Sequence, residues 1–255
     1  MNMKRISLLI PSLLLCQMSF AEEVPEVRES EKWKFTLGAG AAFVPRYEGS
    51  ATRRVRAVPV FEARKGRFFA GVSEGIGYDL SEDPRFHFGP RIGLVPYRRQ
   101  DADVRLNGTG DINWGAEAGG FFDATFAPWY AASRFGAGQR GARLELDGGL
   151  ERNIGRSDRI RAGLEVNWAN ARYMQTYFGI TPAQSAASGG VLTPYTASAG
   201  IRNYGANLGW MHQLGGGWFT HVSLGIHRIG GSAASSPLTM KRTMVGTSLV
   251  AGCRF

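Results

Sequence analysis

Cysteine, long apolar runs and blocks of like charge are all scarce in this chain, and each scarcity excludes a class of protein. Two cysteines, Cys16 and Cys253, stand in 255 residues. If Cys16 leaves with an export signal, no intrachain disulfide can form, and stability must come from the fold itself. The apolar run 6–16 is too short to cross a bilayer as a helix, which takes roughly 20 residues, and no later segment qualifies. Basic residues outnumber acidic ones, 30 to 21, but they are scattered through alternating segments instead of forming a nucleic-acid footprint. Nucleophile motifs are missing, and His87, His212, His221 and His227 fall on separate segments without metal-ligand spacing. No enzyme, cofactor or metal site is therefore expected. The letters G-x-G-x-x-G occur at 136–141, but an alternating segment follows where a dinucleotide fingerprint needs a helix.

Glycine, in contrast, is abundant. Its 35 residues are about twice the usual ~7% share, and they lie among aromatics inside alternating segments, which suits the close packing of a barrel wall. Lys4 and Arg5 precede the apolar run, and Ser19-Phe20-Ala21 ends it with small residues at the positions signal peptidase inspects. An exported protein cleaved between Ala21 and Glu22 is the simple expectation. The bulky Leu15 before Cys16 argues against a lipoprotein signal. Without Lys4 and Arg5, the 30 basic residues become 28 against 21 acidic. That balance suits an anionic partner such as lipopolysaccharide or an acidic solute.

A strict period of two dominates the rest. Between 142 and 151, Ala142, Leu144, Leu146, Gly148 and Leu150 alternate with Arg143, Glu145, Asp147, Gly149 and Glu151. After a turn-like 152–158 the pattern resumes, with Ile160, Ala162, Leu164, Val166 and Trp168 set against Arg161, Gly163, Glu165 and Asn167. Such alternation marks strands whose faces see different surroundings. In a soluble sandwich the apolar face would be a core; in an outer-membrane barrel it would face lipid, with the charges lining a wet interior.

Further strands are expected at 33–43, 55–64, 68–79, 86–94, 114–122, 129–135, 195–201, 204–213, 218–227 and 243–255. Aromatics at both ends of 33–43 match the girdles of a membrane barrel. The sum is an all-β, closed antiparallel transmembrane barrel of about twelve strands, with ten or fourteen as alternatives. Residues 1–21 are read as the signal peptide, 22–31 as a periplasmic lead-in and 32–255 as the barrel. The terminal Phe255 resembles the outer-membrane assembly signal, which implies contact with the barrel-assembly machinery.

Residues 169–193 break the alternation, and within them 173–189 reads Tyr-Met-Gln-Thr-Tyr-Phe-Gly-Ile-Thr-Pro-Ala-Gln-Ser-Ala-Ala-Ser-Gly. That stretch resembles, almost residue for residue, the signature of the MltA-interacting protein family, also called MipA/OmpV. Supporting matches lie at Pro45-Arg46-Tyr47-Glu48-Gly49-Ser50, Gly75-Ile76-Gly77-Tyr78, 195–201 and Ser236-Pro237. The resemblance implies an outer-membrane barrel whose best-known member links a lytic transglycosylase to a peptidoglycan synthase. Other members are described as porin-like, osmotically regulated or adhesive. The chain departs from its relatives where Gly231-Ser232-Ala233-Ala234-Ser235 replaces a more acidic segment, and where Cys253-Arg254 precedes the final Phe255.

Two sets of candidate residues follow. Tyr173, Met174, Tyr177, Phe178, Gly179, Thr181, Pro182 and Gln184 form a candidate interaction loop, which either binds a partner through exposed aromatics or folds back over the barrel end. With eight strands before it and a periplasmic N-terminus, that loop is expected on the periplasmic side. Arg91, Arg143, Glu145, Asp147, Arg161 and Glu165 are candidate lumen charges, which either tune an ion pathway or pair across neighbouring strands. The expected function is a scaffold in the Gram-negative outer membrane, in contact with its lipid and lipopolysaccharide and engaging murein-remodelling enzymes. The alternative is a narrow porin-type channel for small solutes.

Overall fold

The computed structural model describes residues 32–95 and 97–255. The expected signal segment and lead-in lie outside the described residues. Twelve antiparallel strands close into one barrel: β1 Lys34–Pro45, β2 Arg53–Lys65, β3 Phe68–Gly71, β4 Gly75–Tyr78, β5 Phe86–Val95, β6 Gly115–Phe126, β7 Trp129–Gly138, β8 Gly141–Ile154, β9 Asp158–Ala169, β10 Gly200–Gly215, β11 Trp218–Ile229 and β12 Thr243–Arg254. Each strand pairs with its sequence neighbours, and β1 pairs with β12 from Thr36 opposite Arg254 to Phe43 opposite Thr247. Closure matters because the bilayer core offers no water to an unpaired backbone group. Two helices, α1 Ala171–Phe178 and α2 Pro182–Ala187, sit between β9 and β10. No helix among the described residues is long and apolar enough to cross a membrane.

Exposure decides between barrel and sandwich. Large apolar side chains on the strands such as Leu37, Ile92, Leu164, Leu208 and Leu249 are exposed, while Arg91, Glu117, Arg143 and Arg161 are buried. A sandwich core would invert that distribution. Trp33, Phe35, Phe126, Trp129, Trp210 and Trp218 girdle the end that carries the termini, and Phe43, Trp114, Trp168 and Tyr204 girdle the other.

The count of twelve arises differently from the sequence expectation. Residues 68–79, read as one strand, form the short hairpin β3–β4, because Gly75 turns the chain at φ +80° beyond Val72-Ser73-Glu74. Residues 195–201, also read as a strand of their own, form none: Tyr195 and Ile180 exchange both backbone hydrogen bonds at 2.9 Å as a lone bridge, and Gly200 and Ile201 are already the start of β10. The two differences cancel in the total but not in direction. Nine strands precede α1 instead of eight, so loop 170–199 lies at the end opposite the termini, contrary to the periplasmic expectation. That end also carries the long loops 46–52, 96–114 and 230–242, whereas the terminal end has tight turns such as Lys65–Phe68, Ile154–Asp158 and Gly215–Trp218.

Candidate functional site

The long loops converge into a lid over one mouth of the barrel, and α1 is its centre. Asn170 caps the helix by accepting a hydrogen bond from the Tyr173 amide at 3.0 Å. One face of the helix then sinks Tyr173, Met174 and Phe178 into a cluster with Val95, Ala169, Ala197, Ile229, Ala233 and Met244. Ile180 and Leu192 join Tyr47, Ala102, Leu106 and Leu238 in a second cluster. Thr181 and Gln184 form a reciprocal capping box on α2, and the Gln184 amide donates to the Thr109 carbonyl at 2.6 Å.

Of the two arrangements open to the candidate interaction loop, the structure has the one that folds back. Tyr173, Met174, Phe178 and Gly179 are buried, Tyr177 stacks on Tyr173 at 4.5 Å, and only Thr181 and Pro182 of the named set are exposed. The aromatics fold back over the barrel end. Their spacing at 173, 174, 177 and 178 is the i, i+1, i+4, i+5 pattern of a helix face, a signal readable in the sequence.

Directional hydrogen bonds fasten the lid. Tyr47 donates to the Leu238 carbonyl at 2.8 Å, Ser236 to the Phe178 carbonyl at 2.6 Å, and Arg105 to the Pro237 carbonyl through Nε at 2.9 Å. Burial raises the Tyr47 phenol pKa, and the nearby Asp103 carboxylate adds to that rise. Asp103 accepts from Ser50 at 2.9 Å and from Thr52 at 2.6 Å. Burial opposes its ionisation, but these hydroxyls and the Arg105 amide together hold its carboxyl below the usual carboxylate value. Arg98 donates to the Tyr177 carbonyl at 2.5 Å, and burial pushes its guanidinium pKa down.

Beneath the lid the inward face carries a belt of paired charges. Glu117 accepts from Arg143 Nε at 2.8 Å and Nη2 at 2.7 Å, and lies 3.7 Å from Arg91. Arg143 also reaches Glu145. Arg161 binds Asp147 at 3.0 Å and Glu151 at 3.7 Å. His227 lies 2.7 Å from Glu165, a distance suited to an ion pair although the angle misses a hydrogen bond. All six candidate lumen charges thus face inward and stand beside a partner of opposite sign or, for Glu165, the His227 imidazole.

One contact joins belt and lid. Arg202 on β10 donates to Glu48 of loop 46–52 at 3.0 Å and to the Tyr173 hydroxyl at 3.2 Å, while Asn203 donates to the same Glu48 at 2.5 Å. β10 and the β1–β2 loop are separated by β11 and β12 around the wall, so this pair bridges the mouth. Glu48, Arg202 and Glu117 were not singled out in the sequence. Glu48 lies inside the Pro-Arg-Tyr-Glu-Gly-Ser match, and Glu117 occupies an inward position of its alternating strand.

Gly136 and Gly138 lie in β7, and Gly141 opens β8 across a tight turn, so 136–141 is a strand–turn–strand and no helix follows it. His87 pairs with Asp79 at 2.6 Å and His212 with Asp158 at 2.9 Å. No group of three His, Cys, Asp or Glu side chains able to hold a metal occurs among the described residues. Phe255 exchanges backbone hydrogen bonds with Phe35 at 2.9 and 3.2 Å and keeps an exposed ring.

Solved structures similar to this barrel include an outer-membrane channel of Pseudomonas putida F1 at 10% identity and TM-score 0.47, covering 92% of this chain and 100% of that one. The toluene transporter TbuX of Ralstonia pickettii follows at 10% identity and TM-score 0.42, covering 89% and 90%. OmpT, an outer-membrane protein of Vibrio cholerae, has 5% identity and TM-score 0.38, covering 88% and 97%. No curated protein matches the chain in sequence. The family described as MltA-interacting protein MipA matches residues 37–255, which begins within β1 and runs through the last residue of the barrel. The chain therefore belongs to the MltA-interacting protein MipA family and is an outer-membrane β-barrel.

Proposed function

We propose that this protein is a closed, non-enzymatic outer-membrane scaffold that works through its rims and not through an open lumen. The observation that carries the proposal is the lid: α1 is sunk into one mouth with Met174 and Phe178 fully buried, over a belt of paired charges. A pore for solutes needs neither. The family's description names an interaction with MltA, and a lytic transglycosylase of that kind, with a peptidoglycan synthase beside it, is the proposed partner.

Barrels of the bacterial outer membrane keep short turns and both termini on the periplasmic side and long loops outside. By that rule the lid faces outward, and the periplasmic partner meets the terminal rim, where the turns at 79–85 and 155–157 project. Export through a cleaved signal peptide and assembly through Phe255 belong to the same proposal.

The test is a pull-down from detergent-solubilised envelopes with three proteins: the intact chain, a variant with 173–188 replaced by a Gly/Ser linker, and a variant with 81–85 and 155–157 replaced likewise. Retention of a lytic transglycosylase by the first two and its loss from the third is the expected result. Loss from the lid variant alone would reverse the orientation, and retention of no envelope enzyme by the intact chain would sink the scaffold.

A further inference from the structure

The barrel wall has a window. β3 and β4 are short, so β2 pairs with β3 only through Glu62–Lys65, and β4 pairs with β5 only at Ile76–Ile92 and Gly77–Arg91. Above that hairpin the facing edges of β2 and β5 have no strand between them. Among the described residues the last backbone bond on this side is Val72 N–H to the Phe61 carbonyl, at 3.1 Å. At hairpin level β2 and β5 lie three strand spacings apart, about 14 Å. Pro59 and Pro90 sit in the two flanking strands, and proline in a sheet is confined to edges and bulges because it lacks the ladder N–H.

The window spans the half of the wall nearer the lid. Phe43 of the girdle pairs with Val55 at its top, and Leu37 with Phe61 near its base. Loop 96–114 closes it above, through Asp103 on Ser50 and Thr52 and through Arg46 Nη1 on the Ala102 carbonyl at 3.0 Å. Free strand edges at this depth cannot face hydrocarbon unless they line a wet or occupied cavity.

The charge beside the opening is only partly compensated, since the Asp101 carboxylate acts on Arg54 without an ion-pair contact. Arg54 and Arg56 alternate with the exposed Val55 and Ala57, so they point inward. Both donate to one acceptor, the Arg46 carbonyl, at 3.0 and 3.1 Å. Their Nε atoms are buried without a partner, and no carboxylate among the described residues forms an ion pair with either. In the belt, Arg91, Arg143, Arg161 and Arg202 each stand within 3.7 Å of a carboxylate, whereas Arg54 and Arg56 share a backbone carbonyl. Guanidinium forks of this kind suit phosphate oxygens.

We propose that the window between β2 and β5 is a lateral site for a phosphorylated acyl lipid of the leaflet beside the lid. Its phosphate is held by Arg54 and Arg56, and its chain passes between the free strand edges into the bilayer. The site is independent of the scaffold reading, since it involves the lid end and not the terminal rim.

Native mass spectrometry of the purified barrel in a non-ionic detergent tests it, with lysophosphatidate and the monoacylglycerol of the same chain length as probes. The intact protein is expected to bind lysophosphatidate at least tenfold more tightly than the neutral lipid. R54Q/R56Q should lose that preference. A second variant, in which four alternating Val and Thr residues lengthen the hairpin at 72–74, should lose binding of both probes while keeping its heat-modifiable mobility on gels. Equal affinity of the intact protein for the two lipids would overturn the proposal. So would equal occupancy by inorganic phosphate, which needs no lateral path, or a dimer that disappears on lengthening the hairpin, which would assign the free edges to strand pairing between copies.

Discussion

Replacing Arg202 with leucine should loosen the lid without unfolding the barrel. The Arg202 side chain is 3% exposed and holds Glu48 at 3.0 Å and the Tyr173 hydroxyl at 3.2 Å, so the change removes a cation that ties loop 46–52, α1 and β10 together. Breaking a buried pair by deleting one member costs about 3–5 kcal/mol, mostly because the other charge is left uncompensated. Asn203 still donates to Glu48 at 2.5 Å, which argues for the lower end. About 3 kcal/mol corresponds to roughly a hundredfold rise in the open lid population at 1.4 kcal/mol per factor of ten. The strand ladders do not pass through Arg202's side chain, so the closed wall should survive. The assay is hydrogen exchange of the α1 amides, read on peptides covering 171–178: R202L should exchange about a hundredfold faster than the parent. E48Q/R202L should recover much of the protection, because neither partner is then left as an unpaired charge. Unchanged exchange in R202L, or a double variant no better protected than the single one, would refute the account of the lid latch.

Other consequences are equally specific. A Cβ on Gly136 would lie 2.3 Å from the Glu117 carboxyl carbon, and Glu117 is pinned by Arg143, so G136A should dislodge that carboxylate and cost about 1–3 kcal/mol; a heat-modifiability midpoint equal to the parent's would contradict it. Asp103 has a folded pKa below its unfolded value of about 3.9, so its contribution is fully present above that pH and is lost as pH falls through the lower folded value. Acidification below pH 4 should therefore release loop 96–114, monitored by Trp114 fluorescence, and D103N should flatten the transition; a D103N profile identical to the parent's would exclude Asp103 as the cause. Y47F should leave the Leu238 carbonyl without its donor and cost about 1 kcal/mol of lid stability, read by the same exchange experiment; unchanged protection would show that contact to be dispensable.

The barrel was legible because its dominant signal, alternation, is local. Leu144, Leu146 and Leu150 against Arg143, Glu145 and Asp147 define two faces in a few residues, and the structure puts those leucines on the outer wall and Arg143 inside. What misled was punctuation. The apolar letters of 68–79 run on through a turn that only Gly75's positive φ reveals, and 195–201 alternates although Tyr195 bonds to the helical loop and β10 starts only at Gly200. One extra strand before α1 was enough to move the loop to the other end of the barrel.

The site was harder to read because its contacts are distant in sequence. Arg202 and Glu48 are separated by 154 positions, and Tyr47 and Leu238 by 191. Nothing local tells an aromatic that will cap a barrel from one that will bind a partner. The window was invisible for the same reason: it is a property of register, set by how few residues of β2 find partners in β3.

The central claim, a barrel closed by its own lid, is tested most directly by single-channel recording in planar bilayers. The intact protein and a variant with 171–187 replaced by a short Gly/Ser linker would be compared at equal insertion. The account predicts silence from the intact protein and discrete conductance steps, cation- or anion-biased by the exposed belt, from the variant. Sustained steps from the intact protein, matched in size by the variant, would contradict it and make the lumen the functional element.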